Sequence, residues 1–490
     1  MHPGLEPPRF SYDTLRRTQL TRPNNVATNY AYDPLSRLQS VLHQLSGSTI
    51  DGTAYTVDNA GNRTSKTDKL ANVTSNYAYD PIYQLTGVNQ GGPTTESYTY
   101  DAVGNRLSST AGSYSYNTSN EMTSSPTATF TFDNNGNTLT KANSTGTTSY
   151  AWDFENRLTS VTLPGTAGTV TFRYDPFGRR IQKSSSSATT NFLYDGSNSL
   201  EEVDTSGNVL ARYTGTQNMD EPLAMLRAGV TSYYHADGLG SITSLSNAAG
   251  SVANTYTYDS FGNLTAPTGS ITNPFRYTAR EFDSETNLYF YRARYYDPAT
   301  GRFHNEDAIS FAGGINFYDY VQNSPVRLTD PFGWSPECLL NPKSRCARLF
   351  QRALGLSPSQ FNAAAKNIPW YYSPNANTFA NFSWDFISGN GDTRGISSSF
   401  EGQSNTAATA APGGAYPAPV VLGPDWFRSS PAKQQATQLH EAVHSLTGLN
   451  EPRVFDLFGP YGLPTANFKQ FGNSEDFSIW LLAGCPPSSK

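Results

Sequence analysis

The chain has 490 residues, enough for two or three domains, with 37% hydrophobic and 15% charged residues and a formal net charge of −6. That balance excludes charge-driven disorder, and neither the first 334 residues (23 basic, 30 acidic) nor the last 156 (11 basic, 10 acidic) have the basic excess of a nucleic-acid binder. No apolar run approaches the length of a membrane-spanning helix.

The opening, MHPGLEPPRFSYD, lacks a basic segment followed by an apolar core. Export is therefore expected to need a dedicated machine or a longer parent chain, not a signal peptide. All three cysteines (Cys338, Cys346, Cys485) come late, and an odd count implies no disulfide framework.

A repeat dominates the first two thirds. FSYDTLRR, YAYDPLSRL, YTVDNAGNR, YAYDPIYQL, YTYDAVGNR, FTFDNNGNT, YAWDFENRL, FRYDPFGRR, FLYDGSNSL and YTYDSFGNL follow one another, mostly 20 to 22 residues apart. Their aspartates are Asp13, Asp33, Asp58, Asp80, Asp101, Asp133, Asp153, Asp175, Asp195 and Asp259, and a degenerate copy surrounds Asn117. Aromatic–polar–aromatic alternation has the period of a half-buried strand. Asp-x-x-Gly-Asn then supplies an Asx-type turn with a position that tolerates positive φ. Each unit reads as a β-hairpin that buries its aromatic face only by stacking on its neighbours. The expected fold is mainly β over residues 1–286.

These motifs resemble the YD repeat of the Rhs family, found also in teneurins and in the C components of insecticidal Tc toxins. The resemblance implies one long β-strip spiralling into a hollow shell. It also implies that the chain corresponds to the C-terminal portion of a longer ancestor, or to an orphan cassette.

From residue 287 the text changes to NLYFYRARYYDPATGRFHNEDAISFAGGINFYDYVQNSPVRLTDPFGW. Residues 287–334 resemble the Rhs repeat-associated core, which closes the shell and in many relatives cuts the chain after a final Asp-Pro-x-Gly-Leu. The resemblance places the family's essential arginine at Arg294, its catalytic aspartates at Asp307 and Asp330, and the cut between Trp334 and Ser335. Gly314, Asn316, Tyr318, Asn323 and Pro325 keep the pattern; Ala308 in place of proline and Trp334 in place of leucine depart from it. Two carboxyls held close cannot both ionise, so one serves as acid while the other activates water. Arg294 would orient the pair or polarise the scissile carbonyl.

Residues 335–490 differ in character and are expected to form a smaller α+β domain. CARLFQRALGL and SPSQFNAAAKNI read as helices, 402–418 as a loop, and PVVLG (419–423) as a short strand. In QATQLHEAVHSLTG, Leu439, Val443 and Leu446 fall at helical spacing, with Pro431 fitting the first turn and Gly448 the C-terminal cap. His440 and His444 lie four apart and project from one face beside Glu441. This is H-E-x-x-H, in which two imidazoles hold Zn²⁺ and the glutamate takes a proton from the attacking water. The preceding strand fits the zincin arrangement, where an edge strand lines the substrate groove. No third histidine follows, so the third ligand is expected to be a carboxylate: Glu475 first, with Asp456, Asp476 and Glu451 as alternatives. Glu475 opens the probable helix SEDFSIWLLAG, as in the glutamate-bearing second helix of gluzincins; Tyr461 is a candidate oxyanion partner.

Together these readings imply a delivered toxin whose released cargo is a zinc endopeptidase. Its expected partners are a target-cell protein substrate, a cognate immunity protein and a delivery machine, with no nucleic acid. The alternative is a cell-surface adhesion protein with an inert C-terminus.

Overall fold

The computed structural model describes residues 7–13, 16–92, 94–216, 218–308 and 315–333, together with three short strands at Trp370–Tyr372, Ala407–Thr409 and Val420–Leu422. The chain divides into two compact units: residues 1–306 with 318–333, and 307–317 with 334–490.

The first unit is built almost wholly of antiparallel β-sheet. An 11-stranded sheet runs from Arg9–Tyr12 to Gly112–Ser113, and a 15-stranded sheet from Ser115–Tyr116 to Val252–Thr255, each in strict chain order. A four-stranded sheet, Glu281–Asp283 to Arg302–Phe303, follows. Among the described residues no helix is long and apolar enough to cross a membrane.

The repeat aspartate makes the turn as its chemistry dictates. Oδ1 of Asp101 accepts from the N–H groups of Val103 (3.0 Å) and Asn105 (2.8 Å), and Oδ2 accepts from the Asn105 side chain. Gly104 sits between them at φ +86°, a conformation glycine adopts without strain. The same pair of Oδ1 bonds recurs at Asp33, Asp80, Asp133, Asp153, Asp175 and Asp259. Asp195 departs from the expectation. It pairs with Asn198 across a tight two-residue turn and ends a strand instead of opening an Asx turn. Conversely, Asp204 and Asp237 make the repeat turn without the aromatic alternation that marks the others.

At most repeats the tyrosine or tryptophan before the aspartate stitches neighbouring hairpins together. Tyr32, Tyr79, Tyr100, Tyr194 and Tyr258 donate their hydroxyls to the main-chain carbonyls of Arg17, Arg63, Leu85, Arg180 and Ile242. Trp152 does the same with its indole N–H, to Thr138. Each acceptor lies four or five residues after the preceding turn's aspartate. The repeat thus encodes both its own turn and its bond to the neighbour.

The start of the first sheet packs on the end of the second. Lys66 pairs with Asp237 at 2.7 Å, Asn24 donates to Ser246 and Asn247, and Thr243 and Ser244 donate to the buried Asp51. His43 and His235 meet ring to ring at this seam, centroids 4.8 Å apart, both buried.

The four-stranded sheet packs against both large sheets. Its strands Leu288–Tyr291 and Arg294–Asp297 are buried throughout. Arg302 reaches Asn105 and Asn120, Lys141 pairs with Asp297, and Arg180 pairs with Glu281 and Asp283.

In the second unit, Val420–Leu422 pairs in parallel with Trp370–Tyr372 and antiparallel with Ala407–Thr409. The apolar strand expected at 419–423 is present, but it is the middle strand of three and not an edge. Ala407–Thr409 falls inside the segment read as a loop: its small side chains suppress the hydrophobic signal that marks a strand. The two helices expected at 346–368 lie outside the described residues.

Candidate self-cleavage site

The last described segment of the first unit, residues 330–333, returns alongside residues 291–294. Asp330 opens a turn that closes loosely, with the Gly333 N–H donating to the Asp330 carbonyl at 3.5 Å. Gly333 adopts φ +71°, and a Cβ there would lie 2.0 Å from the Tyr291 carbonyl oxygen. Only glycine passes so close to that backbone.

Arg294 stands at the centre. Its side chain is 1% exposed and that of Asp330 is wholly buried. Nη2 of Arg294 lies 3.3 Å from Oδ2 of Asp330, while Nε donates to the Gly333 carbonyl. The guanidinium carbon sits 3.6 Å from the centre of the Phe303 ring, which accounts physically for the phenylalanine of the Gly-Arg-Phe pattern. A buried charge is tolerated only when paired and hydrogen-bonded, and Arg294 is paired with a carboxylate, a carbonyl and an aromatic face. Burial, and to a lesser degree the Asp330 carboxylate, push the phenol of the buried Tyr320 up.

The structure therefore brings Arg294 and Asp330 together, as the resemblance implies. Asp307 is buried and belongs to the second unit, where its N–H donates to the Phe317 carbonyl at 2.9 Å. Gly314, Trp334, Ser335, His440, Glu441, His444, Glu475 and the alternative ligands Glu451, Asp456 and Asp476 lie outside the described residues, as do Tyr461 and the three cysteines. Among the described residues no cluster of three or more His, Cys, Asp or Glu is placed to hold a metal.

Two further pattern residues prove to be anchors onto the repeat turns. Tyr318 donates to the Gly136 carbonyl at 2.9 Å and Asn323 to the Gly104 carbonyl at 2.7 Å, both glycines of Asp-x-x-Gly turns. A Cβ on Gly136 would collide with the Tyr318 hydroxyl at 2.4 Å. Sequence reasoning missed Arg292 and Asp220. Arg292 donates to the Pro331 carbonyl and pairs with Asp220 at 2.8 Å. The Arg-x-Arg spacing with Arg294 was a legible signal; Asp220, more than seventy residues upstream, carries none.

The Teneurin YD-shell family model matches residues 6–326. The tRNA3(Ser)-specific nuclease WapA of Bacillus spizizenii is 32% identical over 258 residues, which is 49% of this chain and 11% of that protein. The double-stranded DNA deaminase toxin A of Burkholderia cenocepacia is 34% identical over 121 residues, 24% of this chain and 8% of that protein. The chain thus spans only a small part of the length of these relatives. Among solved structures, the TcdB2-TccC3-Cdc42 crystal structure aligns with a TM-score of 0.56 at 21% identity, over 67% of this chain and 19% of that one, a likeness of fold. With two sheets of stacked hairpins joined by aspartate turns, and a family match over most of its length, the chain belongs to the Teneurin YD-shell family.

Proposed function

We propose that the chain is an Rhs-type toxin delivery protein. Its YD-repeat unit encloses residues 335–490, cuts the connection between Trp334 and Ser335, and so frees a zinc-dependent endopeptidase that acts in a target cell. The observation that carries this reading is the buried Arg294 holding both Asp330 and the Gly333 carbonyl. The pair is costly to bury, and it sits on the last residues before the expected cut, with the arginine also holding a main-chain carbonyl there. The relatives support it too: they are named for different chemistries, a tRNA nuclease and a DNA deaminase toxin, as expected if the shared YD unit is a vehicle.

In the cut, water adds to the Trp334 carbonyl carbon and gives a proton to one carboxylate of the Asp307–Asp330 pair. The other carboxyl, protonated, gives its proton to the departing Ser335 nitrogen as the C–N bond breaks. Trp334 ends as a carboxylate and Ser335 as a free amine. Arg294 orients Asp330 and fixes the chain just ahead of the bond.

In the cargo, His440, His444 and Glu475 form a donor set that suits zinc, and the ion when bound supplies a Lewis acid for the substrate carbonyl. Glu441 accepts the proton of the attacking water. A cognate immunity protein and a delivery machine complete the expected partners. The test is expression of the whole chain in a bacterial cytoplasm, as wild type and as Glu441→Gln. Growth arrest by wild type alone is expected; equal arrest by both removes the peptidase reading.

A further inference from the structure

Three consecutive carbonyls of the exit segment are held by three consecutive residues. The Pro331 carbonyl accepts from Nη1 of Arg292, the Phe332 carbonyl from the N–H of Ala293 at 3.2 Å, and the Gly333 carbonyl from Nε of Arg294. Arg294 is assigned a role by the family resemblance; Arg292 is not.

Arg292 is built for its place. It adopts φ +56°, which an arginine reaches only at a cost, and its side chain is 17% exposed. Its fork is held by Asp220, through Nη2 at 2.8 Å and Nη1 at 3.1 Å, and Nε and Nη2 also reach the Ser197 carbonyl at 3.4 and 3.3 Å. Asp220, itself at φ +56°, lies in the loop between the strands Val209–Gly215 and Pro222–Arg227. Arg280 grips the same carboxylate and also donates to the Phe290 carbonyl at 2.9 Å. Burial pushes the Asp220 carboxyl up, but Arg280 and Arg292 outweigh it and hold it below the usual carboxylate range. The anchor is therefore charged, and fixed by two cations on neighbouring parts of the fold.

We propose that Arg292, anchored by Asp220, is a positioning residue for self-cleavage. Together with Ala293 and Arg294 it clamps the main chain ahead of the cut, so that the site takes its own chain by backbone carbonyls and not by the side chain at 334. The proposal rests on the self-cleavage reading. All three grips fall on main-chain carbonyls of residues 331–333, so the clamp does not depend on whether residue 334 is tryptophan or leucine. A planar fork with several donors serves two acceptors at once, which an ammonium cannot do in the same geometry. Holding the scissile peptide in register converts binding geometry into rate.

The test uses the full chain made by cell-free synthesis, following the cut fraction over time and the intact mass of the released fragment. Wild type, Arg292→Ala, Arg292→Gln, Arg292→Lys, Asp220→Asn and Trp334→Leu are compared, with Asp330→Asn as the uncut control. Arg292→Ala and Arg292→Gln are expected to cut at least tenfold more slowly on the order expected for a lost positioning contact, or to release fragments that do not begin at Ser335. Arg292→Lys should recover part of the rate, Asp220→Asn should fall between, and Trp334→Leu should cut as wild type. Melting of the Arg292 variants in the Asp330→Asn background should stay at the control value. Cutting of Arg292→Ala at the wild-type rate and bond overturns the proposal while leaving self-cleavage intact. A rate loss that in both Arg292→Ala and Arg292→Gln comes only with a matching loss of melting temperature also overturns it. A wild type that never cuts removes the underlying reading instead.

Discussion

Arg294 and Asp330 form an ion pair with both side chains almost wholly out of solvent, 3.3 Å between Nη2 and Oδ2. Removing one partner strands the other charge, so neither change is neutral. We expect Asp330→Asn and Asp307→Asn each to leave the chain uncut, and Arg294→Ala to slow cutting by about 100-fold or more, as for a lost acid–base group or its orienting charge. Denaturing gels give the readout: wild type as fragments of 334 and 156 residues, the variants as one chain. An uncut, folded wild type would sink the assignment, and loss of the cut in Glu441→Gln would transfer it to the cargo's own site.

Gly333→Ala tests the geometry of the exit turn apart from its charges. The added methyl would lie 2.0 Å from the Tyr291 carbonyl oxygen, and φ +71° is unfavourable for alanine. The segment must move to relieve this, carrying the bond away from Arg294. Cutting should fall while the melting of the YD unit changes little, because the strain is confined to its last residues. Normal cutting in this variant would show that the close pass is not required.

The tyrosine ladder predicts a graded effect on stability. Tyr100 donates to the Leu85 carbonyl at 2.8 Å, so Tyr100→Phe removes one bond to a main-chain acceptor and should cost about 1 kcal/mol. Tyr12 is 61% exposed, and Tyr12→Phe should cost next to nothing. Urea midpoints of the two variants, both in the Asp330→Asn background, give the comparison. Equal midpoints would mean that the repeated hydroxyl bond contributes nothing.

Why some of this was legible in sequence and some was not follows from range. Asp101, Gly104 and Asn105 satisfy one another within five residues, so the turn is written locally and repeats visibly. Asp195 misled because Phe-Leu-Tyr precedes it as in the other repeats, while the short Gly196–Ser197 link forces a different turn. The ladder acceptors are main-chain carbonyls and leave no trace in residue identity. The pairing of Asp330 with Arg294 came from the family resemblance, since nothing local couples residues 36 apart. Asp220 has no motif around it, and its role appears only when the fold brings it to Arg292 and Arg280.

The seam between the sheets should weaken in acid. Burial first, then Arg22, lowers His43 to about 3, and burial with Arg22 and His43 lowers His235 well below its ordinary value. The charged groups facing the pair are Arg22, with Asp51, Asp237 and Lys66 nearby. Folded values below the unfolded 6.5 mean that the unfolded chain binds these protons first. Stability is then full above about 6.5 and falls as pH drops toward 3, by roughly 2 kcal/mol at pH 5 for His43 and in the same direction for His235. Asp51 and Asp259 oppose this: burial raises Asp51, and burial, then Glu96, raises Asp259 to about 6, so the folded state gains by binding their protons, by roughly 1 kcal/mol at pH 5 for Asp259. The histidines prevail. The urea midpoint should fall from pH 7 to pH 5, and His43→Gln with His235→Gln should flatten that fall. A midpoint that rises in acid would contradict the assignment.

The metal prediction concerns residues 335–490 alone. His440 and His444 are the only histidines after residue 304, so a tight zinc site in this part has no other imidazoles to use. Wild type should hold one zinc per chain. His440→Ala and His444→Ala should each lose it, because two remaining protein ligands do not secure the ion. Glu441→Gln should keep it, since in the proposed site the glutamate serves the water and not the metal, and should be inactive on peptides. Glu475→Ala should weaken binding more than Asp476→Ala if Glu475 is the third ligand; the reverse order would give the place to Asp476. Asp330→Asn and Arg292→Ala change no residue of 335–490 and should leave zinc content unchanged, while on the proposed release mechanism toxicity should fall with Asp330→Asn. Metal analysis that finds as much zinc in the His440→Ala, His444→Ala double variant as in wild type removes the peptidase, whatever the fate of the cut.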